Sequence, residues 1–210
     1  MINNYDNLAR HYDFLSRLVF SKSQVNAQVN QLAFIANNSS ILIVGGGTGW
    51  ILEEIVKIHP KGLKITYVEI SSKMIDLSKA RNCGNNEVLL INSSIEEFDD
   101  EQYFDCILTP FLFDNFSAER CGKVFQKLNF MLNNKGLWLL VDFTAHSSRG
   151  VWWKKLFLYV MYKFFSVLSH VEAKALVNMI PFFENAEYKI VEERFYYSQF
   201  IQAIVFQKQK

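Results

Sequence analysis

Cysteine is scarce in this 210-residue chain, and the three present (Cys83, Cys106 and Cys121) form no CxxC pair and leave one unpaired. That excludes a disulfide framework and fits a reducing compartment, with buried thiols expected rather than a catalytic cysteine. An excess of one charge is missing too, since 22 basic residues stand against 21 acidic ones. Such a balance provides no broad field to recruit nucleic acid or an anionic surface. His59 and His170 sit in no ligand spacing, so a metal is not expected. No Pro/Gly/Ser-rich linker interrupts the chain, and its length suits one domain with a full core. The opening residues, Met1 to Asp6, lack the basic-then-apolar layout of a signal peptide, so a cytoplasmic protein is expected.

Apolar side chains, by contrast, are plentiful: half the residues are hydrophobic, 15% are aromatic, and 19 are Phe. This points to an apolar pocket or contact surface beyond an ordinary core. The organising stretch is Ile41-Leu42-Ile43-Val44-Gly45-Gly46-Gly47-Thr48-Gly49-Trp50, a β-branched run entering four glycines within five residues. It reads as a buried parallel strand ending in a turn where a ligand approaches the backbone. A helix from Trp50 to Ile58 then opens with free N–H groups near that ligand.

Along the chain, residues from about Asn4 to Ala36 read as two helices, with Ser21 or Ser23 as the cap between them. Strands are expected at Leu63 to Ile70, Val88 to Asn92, Phe104 to Thr109 and Leu137 to Phe143. The helices between them run from a Ser71 or Ser72 cap to Arg81, and from a Ser117 cap to Leu132. Five alternations of strand and helix predict an α/β fold, a doubly wound, mostly parallel sheet with right-handed crossovers. Tyr188 to Phe195 and Phe200 to Gln207 predict an antiparallel hairpin at one edge, giving seven strands.

Ligands of such sheets sit at the carboxyl ends of the strands. Glu69 closes the second strand about 22 residues past Gly47, where a carboxylate can accept both hydrogen bonds of a ribose diol. A glycine turn plus an acid fits either a nicotinamide cofactor or S-adenosylmethionine. The dinucleotide fingerprint needs a third glycine where this chain has Trp50 or Leu52, and either side chain would crowd a diphosphate.

The run Ile41 to Gly49 and the run Tyr67 to Ala80 resemble motifs I and II of class I S-adenosylmethionine-dependent methyltransferases. The similarity continues through Leu89 to Phe98, Tyr103 to Thr109 and Leu132 to Phe143. Tyr5 to Asp13 is similar to the opening of small-molecule members such as the quinone C-methyltransferase group. The resemblance implies that Gly45, Gly46, Gly47, Thr48 and Gly49 pass the methionine and ribose of the cofactor. Glu69 would hold the ribose, Ile70 and Met74 would flank the adenine, and Ser94 and Ile95 would meet its edge. Thr109 would line the methionine end, and Tyr12 would cover the cofactor. Many relatives carry an acid at the positions of Ile43 and Ser94, where this chain offers an apolar side chain and a hydroxyl.

The resemblance also implies methyl transfer to a small, apolar or aromatic metabolite; His11, Asp142 and His146, near strand ends, are the candidate bases should one be needed. No Asn-Pro-Pro-Tyr-like tetrapeptide follows the fourth strand, which argues against a nucleic-acid or protein acceptor. Residues 1–38 are expected to form a helical cover, 39–143 the cofactor core, 144–184 a helical lid and 185–210 the hairpin of a single domain. The aromatic run from Val151 to Phe165 reads as a lid over a hydrophobic substrate. A homodimer contact or a peripheral lipid contact through 151–169 are its other readings. Lys154, Lys155 and Lys163 interrupt it too often for a membrane span. A non-catalytic binding protein of the same fold and a nicotinamide-dependent oxidoreductase remain the alternatives.

Overall fold

In the computed structural model, which describes residues 22–144 and 176–210, strand β1 (Ser40–Val44) is buried on both faces. Its alternation divides the core: Leu42 and Val44 pack into one hydrophobic cluster, Ile41 and Ile43 into another. Period-two side chains of a strand covered on both sides produce this split. Helix α2 (Trp50–Ile58) covers the Ile41 face with Ile51, Leu52 and Ile55. Helix α4 (Ala118–Met131) covers the opposite face with Cys121, Val124, Phe125 and Leu128.

The other strands are β2 (Lys61–Glu69), β3 (Asn85–Asn92), β4 (Phe104–Pro110), β5 (Leu132–Phe143), β6 (Lys189–Tyr196) and β7 (Ile201–Gln207). They form one seven-stranded sheet in the order β3-β2-β1-β4-β5-β7-β6. The first five are parallel, and β7 runs antiparallel to both β5 and β6. The expected doubly wound sheet with an edge hairpin is therefore the observed one. Tyr197, Ser198 and Gln199 turn the hairpin, all three at positive φ.

Helix α1 (Ser23–Val29) docks on the β6–β7 hairpin, and its buried Ala27 joins the cluster that holds Phe143 and Phe200. Just beyond it, the buried Gln31 side chain donates to the Leu140 carbonyl at 3.1 Å. Lys22, not a serine, occupies its N-cap position, and no side chain caps it. Helix α3 (Ser72–Ser78) ends earlier than its periodicity suggests. Ser71 caps α3 by accepting from the Met74 N–H, and Ser117 caps α4 by accepting from the Arg120 N–H. Helix α5 (Ile180–Asn185) wedges Phe183 against Trp138 and stacks it on Phe206 at 3.9 Å. Among the described residues no helix is long and apolar enough to cross a membrane. Tyr12, His11, His146 and the 151–169 segment lie outside the described residues.

Candidate functional site

Strand order reverses between β1 and β4, and a cleft of about 1150 Å³, its open mouth included, lies at the carboxyl ends there. The glycine turn lines one wall. Gly45 and Gly47 take φ of +71° and +66°, a backbone that suits glycine and leaves the chain uncovered towards the cleft. Gly46 is constrained from behind, because a Cβ there would lie 2.5 Å from the Tyr67 ring.

The turn is held by contacts from other elements. Fully buried Tyr67 donates its hydroxyl to the Gly47 carbonyl at 2.8 Å, and Ser78 donates to the same oxygen at 3.3 Å. Burial first, and the Glu69 charge second, push the Tyr67 phenol above its ordinary range, so it stays a donor. Arg81 donates to the Thr48 carbonyl at 2.9 Å and to its hydroxyl at 3.3 Å, while pairing with Glu53 at 3.4 Å.

Glu69, only 5% exposed, stands at the end of β2 and lines the cleft. One carboxylate oxygen accepts from Gly47 N at 3.0 Å and the other from Ser71 N at 2.9 Å. These bonds fix the plane of the carboxylate. Asn92 pins the adjoining backbone by donating to the Glu69 and Ile70 carbonyls at 3.0 and 2.9 Å.

Opposite lies the turn after β3. Ser94 accepts from Glu97 N at 3.2 Å, so its hydroxyl caps this turn while lining the cleft. The Glu96 side chain pairs with Arg120, whose guanidinium lies 4.0 Å over the Phe116 ring. The third wall follows β4, where Phe111, Leu112, Asn115 and Phe116 reach the cleft. Beneath it, Asp142 accepts from the Phe143 N–H at 3.0 Å and from the N–H groups of Phe113 and Asp114. Burial nonetheless pushes its carboxyl up to about 7. Neighbouring Asp114 is raised as well, by burial and then by the Asp142 charge.

The structure thus brings together Gly45, Gly46, Gly47, Thr48, Glu69, Ile70, Met74, Ser94 and Ile95 around one cleft. Gly49 and Thr109 stand outside its lining. Gly49 presses on Ser78, with room for no Cβ, and fully buried Thr109 accepts from Trp138 Nε1 at 2.9 Å. Asp142 is also behind the wall, turned to backbone donors. Ile43 belongs to the core facing α2 rather than to the cleft. Trp50, the first residue of α2, lines the cleft. Sequence reasoning did not single out Tyr67, Ser78, Arg81, Glu96, Phe116 and Arg120, nor Gln24 and Gln28. The last pair carried a faint signal, being one helical turn apart on α1. Among the described residues no three His, Cys, Asp or Glu gather as a metal-binding group.

Residues 41–136 match a family model described as a methyltransferase domain. Over 116 residues the chain is 34% identical to a malonyl-[acyl-carrier protein] O-methyltransferase of Priestia megaterium. That match covers 54% of this chain and 41% of the relative, so the chain spans less than half of that protein's length. It is 25% identical over 177 residues to a ubiquinone/menaquinone biosynthesis C-methyltransferase of Geotalea daltonii, covering 81% of this chain and 73% of the relative. In fold it resembles the Burkholderia thailandensis 1,6-didemethyltoxoflavin-N1-methyltransferase, solved with its namesake compound and S-adenosylhomocysteine. The TM-score is 0.65 at 13% identity, over 96% of this chain and 88% of that one.

Proposed function

We propose that this chain is a class I S-adenosylmethionine-dependent methyltransferase and passes a methyl group from that cofactor to a small, apolar or aromatic acceptor. The observation that carries the reading is Glu69, its carboxylate locked by Gly47 N and Ser71 N beside an uncovered glycine backbone. A fixed carboxylate beside a bare turn suits a ribose diol followed by a charged amino-acid tail. The cleft offers the donor set such a cofactor needs, whereas Trp50 at the helix start stands where a dinucleotide's diphosphate would need room.

In this reading Gly45, Gly46, Gly47 and Thr48 carry the methionine and ribose. Ile70 and Met74 flank the adenine, and Ser94 and Ile95 meet its edge. Gly49, Tyr67, Ser78 and Arg81 act from behind by fixing the turn. When bound, the cofactor supplies a methyl group already activated by its positive sulfur. The chain then has to align the acceptor and keep water away. Phe111, Leu112 and Phe116 suit that task on the β4 side, and their apolar surface supports an apolar or aromatic acceptor. A dedicated base matters only for an acceptor of high pKa. Asp142, which accepts from the Phe113 and Asp114 N–H groups, shapes that turn instead.

The test is methyl transfer from labelled cofactor to a panel of quinols, phenols, short acyl acids and an acyl carrier protein bearing a malonyl group. Transfer to the aromatic acceptors supports the reading. Transfer confined to the carrier-bound acid would overturn the small-acceptor assignment. Tight cofactor binding without transfer to any of them would point to a non-catalytic binding protein.

A further inference from the structure

One aromatic residue of the cleft stands in a backbone region that its side chain disfavours. Among the described non-glycine residues at positive φ, only Phe111 lines the cleft, with a φ of +51°. A bulky residue rarely adopts the left-handed region, and it persists there only where its surroundings hold it. Glycine would make the same turn without strain, but it would bring no ring to the cleft.

The hold comes from two directions. The Phe111 N–H donates to the Val141 carbonyl of β5 at 2.7 Å. The Asn115 side-chain amide donates to the Phe111 carbonyl at 2.8 Å and to an Asp114 carboxyl oxygen at 2.6 Å, and the Leu112 carbonyl lies 3.4 Å from the same nitrogen. All three neighbours are acceptors, and an amide NH2 has two hydrogens to give them, which a carboxylate or an aliphatic side chain lacks. Asp114 is tied to β5 in turn, since its N–H and that of Phe113 donate to Asp142. The wall after β4 is thus closed onto β5 through Val141 at its start and Asp142 at its end, and Asn115 joins the two.

The Phe111 ring packs on Phe143 at 4.8 Å, and Phe143 packs on Phe200 at 5.0 Å, so β5 and the hairpin back it with aromatic rings. The next residue, Leu112, abuts the glycine turn, where a Cβ on Gly45 would lie 3.2 Å from its Cδ1. The backbone at Phe111 and Leu112 therefore sets the gap between this wall and the turn.

We propose that Asn115 is a positioning residue for the methyl acceptor: by locking Phe111 in its left-handed backbone, it fixes the wall against which a flat acceptor ring lies. This rests on the acceptor reading above. A ring held in place beforehand loses little freedom when a second ring packs on it. Released from Asn115, the Phe111 backbone relaxes towards negative φ and carries the ring off its place.

The experiment is calorimetric titration of each folded variant with S-adenosylhomocysteine, and then of the loaded protein with 2-naphthol, a flat and uncharged probe. The wild type is expected to bind both. Asn115→Ala should keep S-adenosylhomocysteine within about threefold and weaken 2-naphthol about tenfold. Asn115→Asp keeps the shape without the donors and should lose as much. Asn115→Ser has a hydroxyl that can reach a carbonyl four residues back, and it should retain part of the affinity. A role confined to stability would lower the urea midpoint of these variants and leave the 2-naphthol affinity of the folded protein unchanged. If the wild type binds S-adenosylhomocysteine but not 2-naphthol, or if Asn115→Ala holds 2-naphthol within about twofold, the inference fails while the cofactor reading stands. If the wild type does not bind S-adenosylhomocysteine, both fail.

Discussion

The Tyr67 hydroxyl donates to the Gly47 carbonyl across 20 residues of sequence, and this bond holds the glycine turn on the end of β2. Tyr67 is fully buried, so a Phe in its place keeps the packing and removes only the donor. Tyr67→Phe is expected to cost about 1 kcal/mol of stability, with Ser78 still serving the same oxygen. It should also weaken S-adenosylhomocysteine several-fold, because Gly47 N and the Glu69 carboxylate lose their fixed relation. Urea denaturation and calorimetry on one preparation check both effects; unchanged affinity would contradict the clamp.

Gly46 tests the same contact from the other side. Its Cβ would fall 2.5 Å from the Tyr67 ring. Gly46→Ala is therefore an overpacking substitution, expected to cost about 1–3 kcal/mol. Tyr67→Leu should recover part of that loss in the double variant. Additive losses in a denaturation cycle would show that the two residues do not meet.

Thr109 separates stability from binding. It accepts the buried Trp138 indole N–H and does not line the cleft. Thr109→Val leaves that donor without its partner, at a cost of about 1–3 kcal/mol. S-adenosylhomocysteine affinity should stay within about twofold, an outcome that calorimetry on the folded variant reads directly. A tenfold weaker affinity would return Thr109 to the cleft.

Asp142 and Asp114 predict a pH dependence. Both carboxyls are raised in the fold, Asp142 to about 7, against about 4 in an unfolded chain. Between these values the folded chain binds more protons than the unfolded one. Their contribution is therefore fully present below about pH 4 and is lost as pH rises through about 7. Beside the pair stand Cys121, its thiol pushed up to about 12 by burial and then by the two aspartates, and Asn115, which donates to Asp114 at 2.6 Å. Asp142→Asn keeps an acceptor for the three backbone donors and removes its own titration and its charge on Asp114. Denaturation at pH 5 and pH 7.5 should show a smaller difference for the variant than for wild type. An equal slope would place the titration elsewhere.

What the sequence disclosed follows from the range of each interaction. Ser71 and Ser117 were legible as caps because an N-cap bonds within three residues. The Gly45–Gly49 turn and Glu69 were legible because a strand, a turn and a strand end are set by local chemistry. The parallel order followed from alternating elements. Strands β3 and β5 run longer than their apolar patterns suggest, since pairing extends them. Asn86, for instance, accepts from Leu63 N and donates to the His59 carbonyl. Tyr67, Arg81 and Arg120 were not legible, because their partners at Gly47, Thr48 and Glu96 lie 20 or more residues away. Thr109 was placed at the methionine end by the resemblance alone. Its side chain instead faces Trp138, a contact 29 residues away that a motif match does not report.

The central claim is that Glu69 and the glycine turn form a site for S-adenosylmethionine. Calorimetric titration of wild type and Glu69→Ala with S-adenosylmethionine, S-adenosylhomocysteine and NADH tests it most directly. Micromolar binding of both sulfur compounds, weakened at least tenfold in the variant and absent for NADH, is the predicted result, since about 1.4 kcal/mol per tenfold is within reach of one charge-assisted pair. No binding of either sulfur compound, or binding of NADH alone, would contradict the account.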